Sequence, residues 1–213
     1  MPYRELLDEN FVDMSTTMGV QNPVMRAIGD IATLSTRMDI VQSATKTDFL
    51  TECRSIENGL RKYHESPLLE STTDKPVVPR HSEKVRQVTR VFATAALVQL
   101  YAVIPGYKFA TQSTDKMIEE NITAIKSIQN PQDFRGLIWP ICIAGSMAHT
   151  SGQQGFYETK LKSALNGAPR DFGNCATLLN ILESCWNSRR KSDVTDEKDW
   201  RHAMVDIGTC LLV

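Results

Sequence analysis

At 213 residues and 23.9 kDa, the chain is long enough for one domain with a substantial core, or for two small ones. A hydrophobic content of 41% with 23% charged residues excludes both a disordered tail and a membrane-embedded protein. Lys and Arg total 24 against 25 Asp and Glu, a net charge of −1, so the chain lacks the basic excess that binds nucleic-acid phosphates.

The hydrophobic period is helical almost throughout. Tyr3 to Met18 reads as a short amphipathic helix closed by Gly19, which tolerates a left-handed cap. Asn22-Pro23 starts a second helix, with Asn as N-cap and a buried stripe of Met25, Ile28, Ile31 or Ala32, and Met38. A third begins near Thr47-Asp48 and aligns Phe49, Cys53, Ile56, Leu60 and Tyr63 on one face. Glu65 to Arg80 holds three prolines among Ser and Thr, and is expected to be a mobile loop. Ser82 to Ile104 is a long helix, apolar on nearly every side in its second half and therefore central, and Pro105-Gly106 ends it.

Thr114 to Ile128 is amphipathic through Ile118, Ile122 and Ile125. Asn130-Pro131 opens a helix that runs through GLIWPICIAGSMA, which Pro140 kinks or divides. Ser151 to Leu165 has a mixed face, and Phe172, Cys175, Leu179, Leu182 and Trp186 form the next stripe. A charged loop, Asn187 to Lys198, precedes a last helix presenting Trp200, Met204, Ile207 and Leu211 and running to Val213. The expectation is an all-α fold, an irregular bundle of about nine helices in a single domain over 1–213, without periodic repeats.

Chemistry is sparse. There is no P-loop, no HExxH, and no CxxC among Cys53, Cys142, Cys175, Cys185 and Cys210. Those thiols read as reduced and core-packed in an intracellular protein, with no metal, cofactor or membrane span. His64, His81, His149 and His202 stand apart from metal-ligand spacing. The carboxylate pairs Glu119-Glu120 and Asp196-Glu197 suit helix starts or solvated faces, so no catalytic residue is assigned. A site assembled from His149, Glu158 and His202 has no spacing to support it. Arg189-Arg190-Lys191 reads as a helix C-terminal cap, with an acidic-partner or nuclear-import patch as the alternative.

The apolar C-terminal half is more informative. A helix broken at Pro140 opens a gap between its neighbours, and such gaps take small apolar ligands. Trp139, Ile143, Met147, Phe156, Phe172 and Cys175 are candidate ligand-binding residues. Leu179, Trp186, Met204 and Ile207 complete the candidate lining, and ordinary core packing is the competing reading of each.

In sequence order, MGVQNPVMRAIGDIATL, Val91–Tyr101, GLIWPICIAG, LLNILESCW and DWRHAMVDIG together resemble the fungal-specific transcription factor domain, second family. This domain lies C-terminal to zinc binuclear cluster DNA-binding domains and includes sterol-uptake regulators. The resemblance covers nearly the whole chain, and its strongest part is the W-P-x-x-x-A-G pattern carried by Trp139, Pro140 and Ile143. It implies an effector-sensing regulatory domain in which a hydrophobic, sterol-like or other small molecule occupies a deep pocket. It further implies a homodimer that is nuclear when active and cytoplasmic when held inactive. The six-cysteine cluster is absent, so DNA contact would belong to a zinc-cluster domain outside this chain, and Met1-Pro2 reads as the start of an excised domain. The alternative is a helical protein–protein interaction scaffold without a ligand, using apolar residues of the last helix and Cys210–Val213.

Overall fold

The computed structural model describes residues 3–8, 12–38, 46–64, 80–104, 112–128, 131–166, 173–191 and 199–208. Among them the fold is all-α, with no strand. The helices are α1 (Tyr3–Asp8), α2 (Met14–Thr17), α3 (Asn22–Met38), α4 (Lys46–His64), α5 (Arg80–Val103) and α6 (Gln112–Lys126). A 3-10 segment, Pro131–Leu137, leads into α7 (Ile138–Met147), followed by α8 (Ser151–Asn166), α9 (Gly173–Lys191) and α10 (Trp200–Ile207). The chain divides into two compact units, Met1–Lys108 and Phe109–Val213.

In the first unit, α3 and α4 pack on α5 and on each other, and α1 packs on α3. The continuous helix expected over Tyr3–Met18 is two short helices instead. Asn22 accounts for the break: its Nδ2 donates to the carbonyls of Leu7 and Val12, while its Oδ1 accepts from the Met14 amide. That carboxamide does not cap its own helix. The Gln21 carbonyl accepts from the amides of Val24 and Met25, placing the cap one residue earlier than predicted. Gly19 does adopt the left-handed conformation, with φ +73°.

The buried face of α3 is Val24, Ile31 and Leu34, whereas Met25 and Ile28 are half-buried and Ala32 is exposed. The expected stripe is therefore rotated, because Val24 goes inward in place of Met25. α4 keeps its stripe, with Phe49, Cys53 and Leu60 buried and Ile56 and Tyr63 half-buried. Residues 91–100 of α5 are all buried, as a helix apolar on every side requires. α4 and α5 are joined through Glu57, whose Oε1 accepts from Tyr101 Oη at 2.6 Å and from Arg61 Nε and Nη2 at 2.9 and 2.8 Å. The loop expected at Glu65–Arg80 lies outside the described residues, except for Arg80, which begins α5.

In the second unit, α7 packs against α6, α8, α9 and α10, so the most apolar helix lies in the middle. The break near Pro140 falls before it. Residues 131–137 are 3-10, and α7 starts at Ile138, which puts Pro140 in the first α-helical turn. Amides there have no intrahelical acceptor, so a proline forfeits nothing. α9 extends to Lys191, taking in the first five residues of the stretch expected to be a loop from Asn187, and residues 192–198 lie outside the described set. α10 spans Trp200–Ile207 with Gly208, left-handed at φ +69°, as its C-cap, and the rest of the last helix expected to run to Val213, including Leu211, lies outside the described residues.

Candidate functional site

The candidate lining divides into an interior group and outliers. Trp139, Ile143 and Met147 on α7, Cys175, Leu179 and Trp186 on α9, and Met204 on α10 are all buried. Pairwise packing among α7, α9 and α10 brings these three helices into one apolar interior. Phe156 is half-buried on α8, edge-on to Tyr157, with Lys126 Nζ 5.4 Å and Lys160 Nζ 6.0 Å from its ring centroid. It thus faces the α6–α8 edge. Ile207 is 38% exposed, and Phe172 lies outside the described residues.

The tightest point of the interior is Gly145. A Cβ there would stand 3.0 Å from Leu182 Cδ1 and 3.3 Å from Tyr157 Cγ, so a hydrogen at this position lets α7 approach α8 and α9 closely. The Gly145 carbonyl accepts from the Trp186 indole Nε1 at 2.9 Å and from the Ala148 amide at 3.1 Å. A buried indole N–H needs such an acceptor, and here the acceptor is a carbonyl freed at the end of α7. Tyr157 is buried and donates to Asn121 Oδ1 of α6 at 3.0 Å. Burial pushes its phenol well above the ordinary range, with the Glu119 charge adding to the effect.

Cys142 and Cys185 lie in the same interior. Burial raises the Cys142 thiol to about 12, and Cys185 and Asp199 add to the shift. Burial likewise raises Cys185 to about 11, against the lowering influence of Arg189. Thiols held this high are protonated at neutral pH, and so are neither nucleophiles nor ready metal ligands. Among the described residues no group of three or more His, Cys, Asp and Glu could hold a metal ion, and no helix is long and apolar enough to cross a membrane.

The polar residues weighed for catalysis have separate structural partners. His149 Nε2 is 2.9 Å from Asp115 Oδ1, at the corner between α7 and α8. Gln153 Nε2 donates to Asp115 and Glu119, both at 3.2 Å, tying α8 to α6. Glu158 pairs with Lys162, and His202 Nδ1 lies 2.9 Å from Asp199 Oδ1. The same Asp199 oxygen accepts from the Arg201 and His202 amides, which makes it the N-cap of α10. Arg189 Nε donates to the Cys185 carbonyl, and Arg190 Nη2 to Gln154 Oε1 at 2.7 Å. These two arginines therefore fasten the end of α9. The contacts from Asp115 to His149 and Gln153, from Glu119 to Gln153 and from Gln154 to Arg190 were not legible from spacing, because each spans 34 or more residues and depends on where two helices meet.

No solved structure matches the chain. Among curated proteins, it is 25% identical to the trichothecene biosynthesis transcription regulator TRI10 of Trichoderma arundinaceum, over 100% of this chain and 48% of that protein. It is 26% identical to the transcription factor dibT of Pestalotiopsis microspora, over 97% of this chain and 34% of the relative. It is 22% identical to the ustiloxin B cluster transcription factor ustR of Aspergillus flavus, over 99% of this chain and 37% of the relative. The chain spans about half or less of the length of these relatives. The family model described as the fungal specific transcription factor domain matches residues 2–212, the whole of both helical units save the first and last residues. This chain belongs to the fungal-specific transcription factor domain family.

Proposed function

We propose that residues 1–213 act as one regulatory, non-enzymatic module of a fungal transcription factor, and that a hydrophobic small molecule bound among α7, α9 and α10 sets its state. The observation that carries this reading is the contrast between α7 and its cover. Trp139 to Met147 of α7 are buried without interruption, while α10 closes over that interior with only Ala203 and Met204 buried. Burying one methionine stabilises the closed arrangement by about 1.5–3 kcal/mol, a small barrier to displacement of α10. Met204 is also unbranched and polarisable, so it can repack around a guest. A ligand that binds better with α10 displaced shifts the population by its differential affinity for the two arrangements, and by no more.

The names of the relatives, a trichothecene biosynthesis regulator and a ustiloxin B cluster factor, support target genes for a fungal biosynthetic product. DNA contact would come from a segment outside this chain, and the site of action is the nucleus, with a cytoplasmic inactive state. The second reading, homodimerisation or scaffold contact, draws on the outward side of α10, where Val205 is 80% exposed.

The test is a thermal shift titration with ergosterol, palmitate and a polyketide mixture on the wild-type chain and on Met204→Trp. Saturable stabilisation that Met204→Trp removes supports the sensor. No shift with any compound overturns it. Sedimentation across a concentration series tests the second reading, and a monomer throughout overturns that one.

A further inference from the structure

The first unit carries a glycine that its backbone does not require. Gly29 lies in the middle of α3, and among the described glycines only Gly19 and Gly208 take the left-handed conformation. A glycine inside a helix weakens it, because the unfolded chain gains freedom and no side chain packs. What excludes a side chain here is the Tyr3 ring of α1. A Cβ at Gly29 would overlap Tyr3 Cε2 and stand 2.7 Å from Cζ and 3.1 Å from Cδ2. The missing methyl is thus a notch that the aromatic ring fills, and beside it the Tyr3 hydroxyl donates to Asp30 Oδ1.

The rest of the contact has the layout of a helix laid in a groove. Tyr3, Leu6 and Leu7 follow the i, i+3, i+4 spacing of one helix face, and both leucines are half-buried. At the other end of α1, the Leu7 carbonyl accepts from Asn22 Nδ2 at 3.1 Å. With Tyr3 at Gly29 and Leu7 at Asn22, α1 runs antiparallel to α3, along a face that Asn22, Arg26 and Asp30 mark at four-residue steps. The attachment is light. Six residues are too few to hold a helix in water without a partner, and Tyr3 is still 37% exposed. A segment fixed this way can be exchanged for another that presents the same side chains.

We propose that the Asn22–Asp30 face of α3 is a docking groove for a protein partner presenting a short amphipathic helix of the pattern Tyr-x-x-Leu-Leu, and that α1 is its intramolecular occupant. The partner's tyrosine enters the Gly29 notch and donates to Asp30, and its leucines cover the groove toward Asn22. α1 therefore acts as a tethered competitor that limits how much of the partner binds. The groove lies in the first unit and does not rest on the α7–α9–α10 reading.

The experiment titrates a fluorescein-labelled peptide, PYRELLDE, against the full chain by fluorescence polarisation. Tyr3→Ala disables the tethered occupant and leaves α3 intact, so this variant should bind the peptide saturably. The wild-type chain should bind it about tenfold more weakly, since its own α1 competes at a high effective concentration. Adding Gly29→Ala to Tyr3→Ala fills the notch and should abolish binding. The added methyl meets no other group as closely as Tyr3, and alanine favours the helix, so the melting temperature should not fall. A peptide with phenylalanine in place of its tyrosine should bind about fivefold more weakly, because the charge-assisted bond to Asp30 is lost. Should the Gly29→Ala chain fail to fold, Asp30→Asn on Tyr3→Ala replaces it, weakening the tyrosine peptide to the level of the phenylalanine peptide. No binding to Tyr3→Ala overturns the proposal, as does binding that survives both Gly29→Ala and Asp30→Asn. Equal affinity for wild type and Tyr3→Ala overturns the tethered competitor. A wild-type dimer in sedimentation that Gly29→Ala turns into a monomer gives the groove to the α1 of a second copy, which also overturns it.

Discussion

Replacing Gly145 by alanine puts the close approach of α7 to its neighbours to a direct test. In a helix interior, Gly→Ala by itself stabilises by about 1 kcal/mol, through lower backbone entropy in the unfolded chain. Against that gain, the new Cβ would meet Leu182 Cδ1 at 3.0 Å, and both Leu182 Cδ2 and Tyr157 Cγ at 3.3 Å. Leu182 can give only by rotating within a filled interior, since it is fully buried. Tyr157 gives less, because the contact is at the base of its ring while its hydroxyl is held by Asn121 at the far end. Overpacking of this kind costs about 1–3 kcal/mol. The net expectation is a loss of about 1 kcal/mol, read as a urea midpoint lower by about 0.5 M at a slope near 2 kcal/mol/M. Leu182→Val relieves the nearer clash, so the double mutant should be more stable than the sum of the single effects by about 1 kcal/mol. A Gly145→Ala chain more stable than wild type would refute the reasoning, since it would mean that the three helices separate there at no cost.

Two further expectations concern other parts of the molecule. Trp139→Ala should be among the most damaging single changes, costing about 3–5 kcal/mol for a buried aromatic, measured by chemical denaturation; if an effector lies against Trp139, the loss will be larger with the compound bound than without it. Burial alone would raise the Glu57 carboxyl, but hydrogen bonds from Tyr101 and Arg61 outweigh it and hold the group below its ordinary range. A depressed carboxylate contributes stability above its unfolded pKa and loses it as pH falls through the folded value. Tyr101→Phe should therefore move the start of acid unfolding to higher pH, followed by circular dichroism from pH 7 downward, and an unchanged acid transition would count against the contact.

Much of the helical architecture was legible because burial imposes a period. α4 and α6 follow their apolar spacing, and α5 declares itself by having no polar side in its second half. Where reading failed, the missing term was an interaction that spacing does not encode. Asn22 has the look of a helix cap, yet its carboxamide turns back to Leu7, Val12 and Met14, which splits the first helix and shifts the cap to Gln21. Val24 and Leu34 join Ile31 on the buried side of α3 while Met25 is only half-buried, so the face shares Ile31 with the expected stripe but is turned by less than the roughly 100° of a one-residue step. Asn187 to Lys191 look like loop by composition, but Arg189 bonding to the Cys185 carbonyl holds the helical end in place. In the interior of the second unit, the apolar character of Trp139, Cys175, Leu179 and Met204 could be read directly. The bond from Trp186 to Gly145 could not, since it spans 41 residues and depends on where two helices meet.

The placement of Pro140 has a mechanical consequence. If Pro131–Leu137 were to rewind from 3-10 to α, its seven residues would shorten by about 3.5 Å, the difference between rises of about 2.0 and 1.5 Å per residue. Merging that rewound segment with α7 would drive the Pro140 ring into the Gly136 carbonyl, four residues back. The proline thus works as a one-way stop: the lead-in segment can change pitch, but it cannot fuse with the helix it feeds.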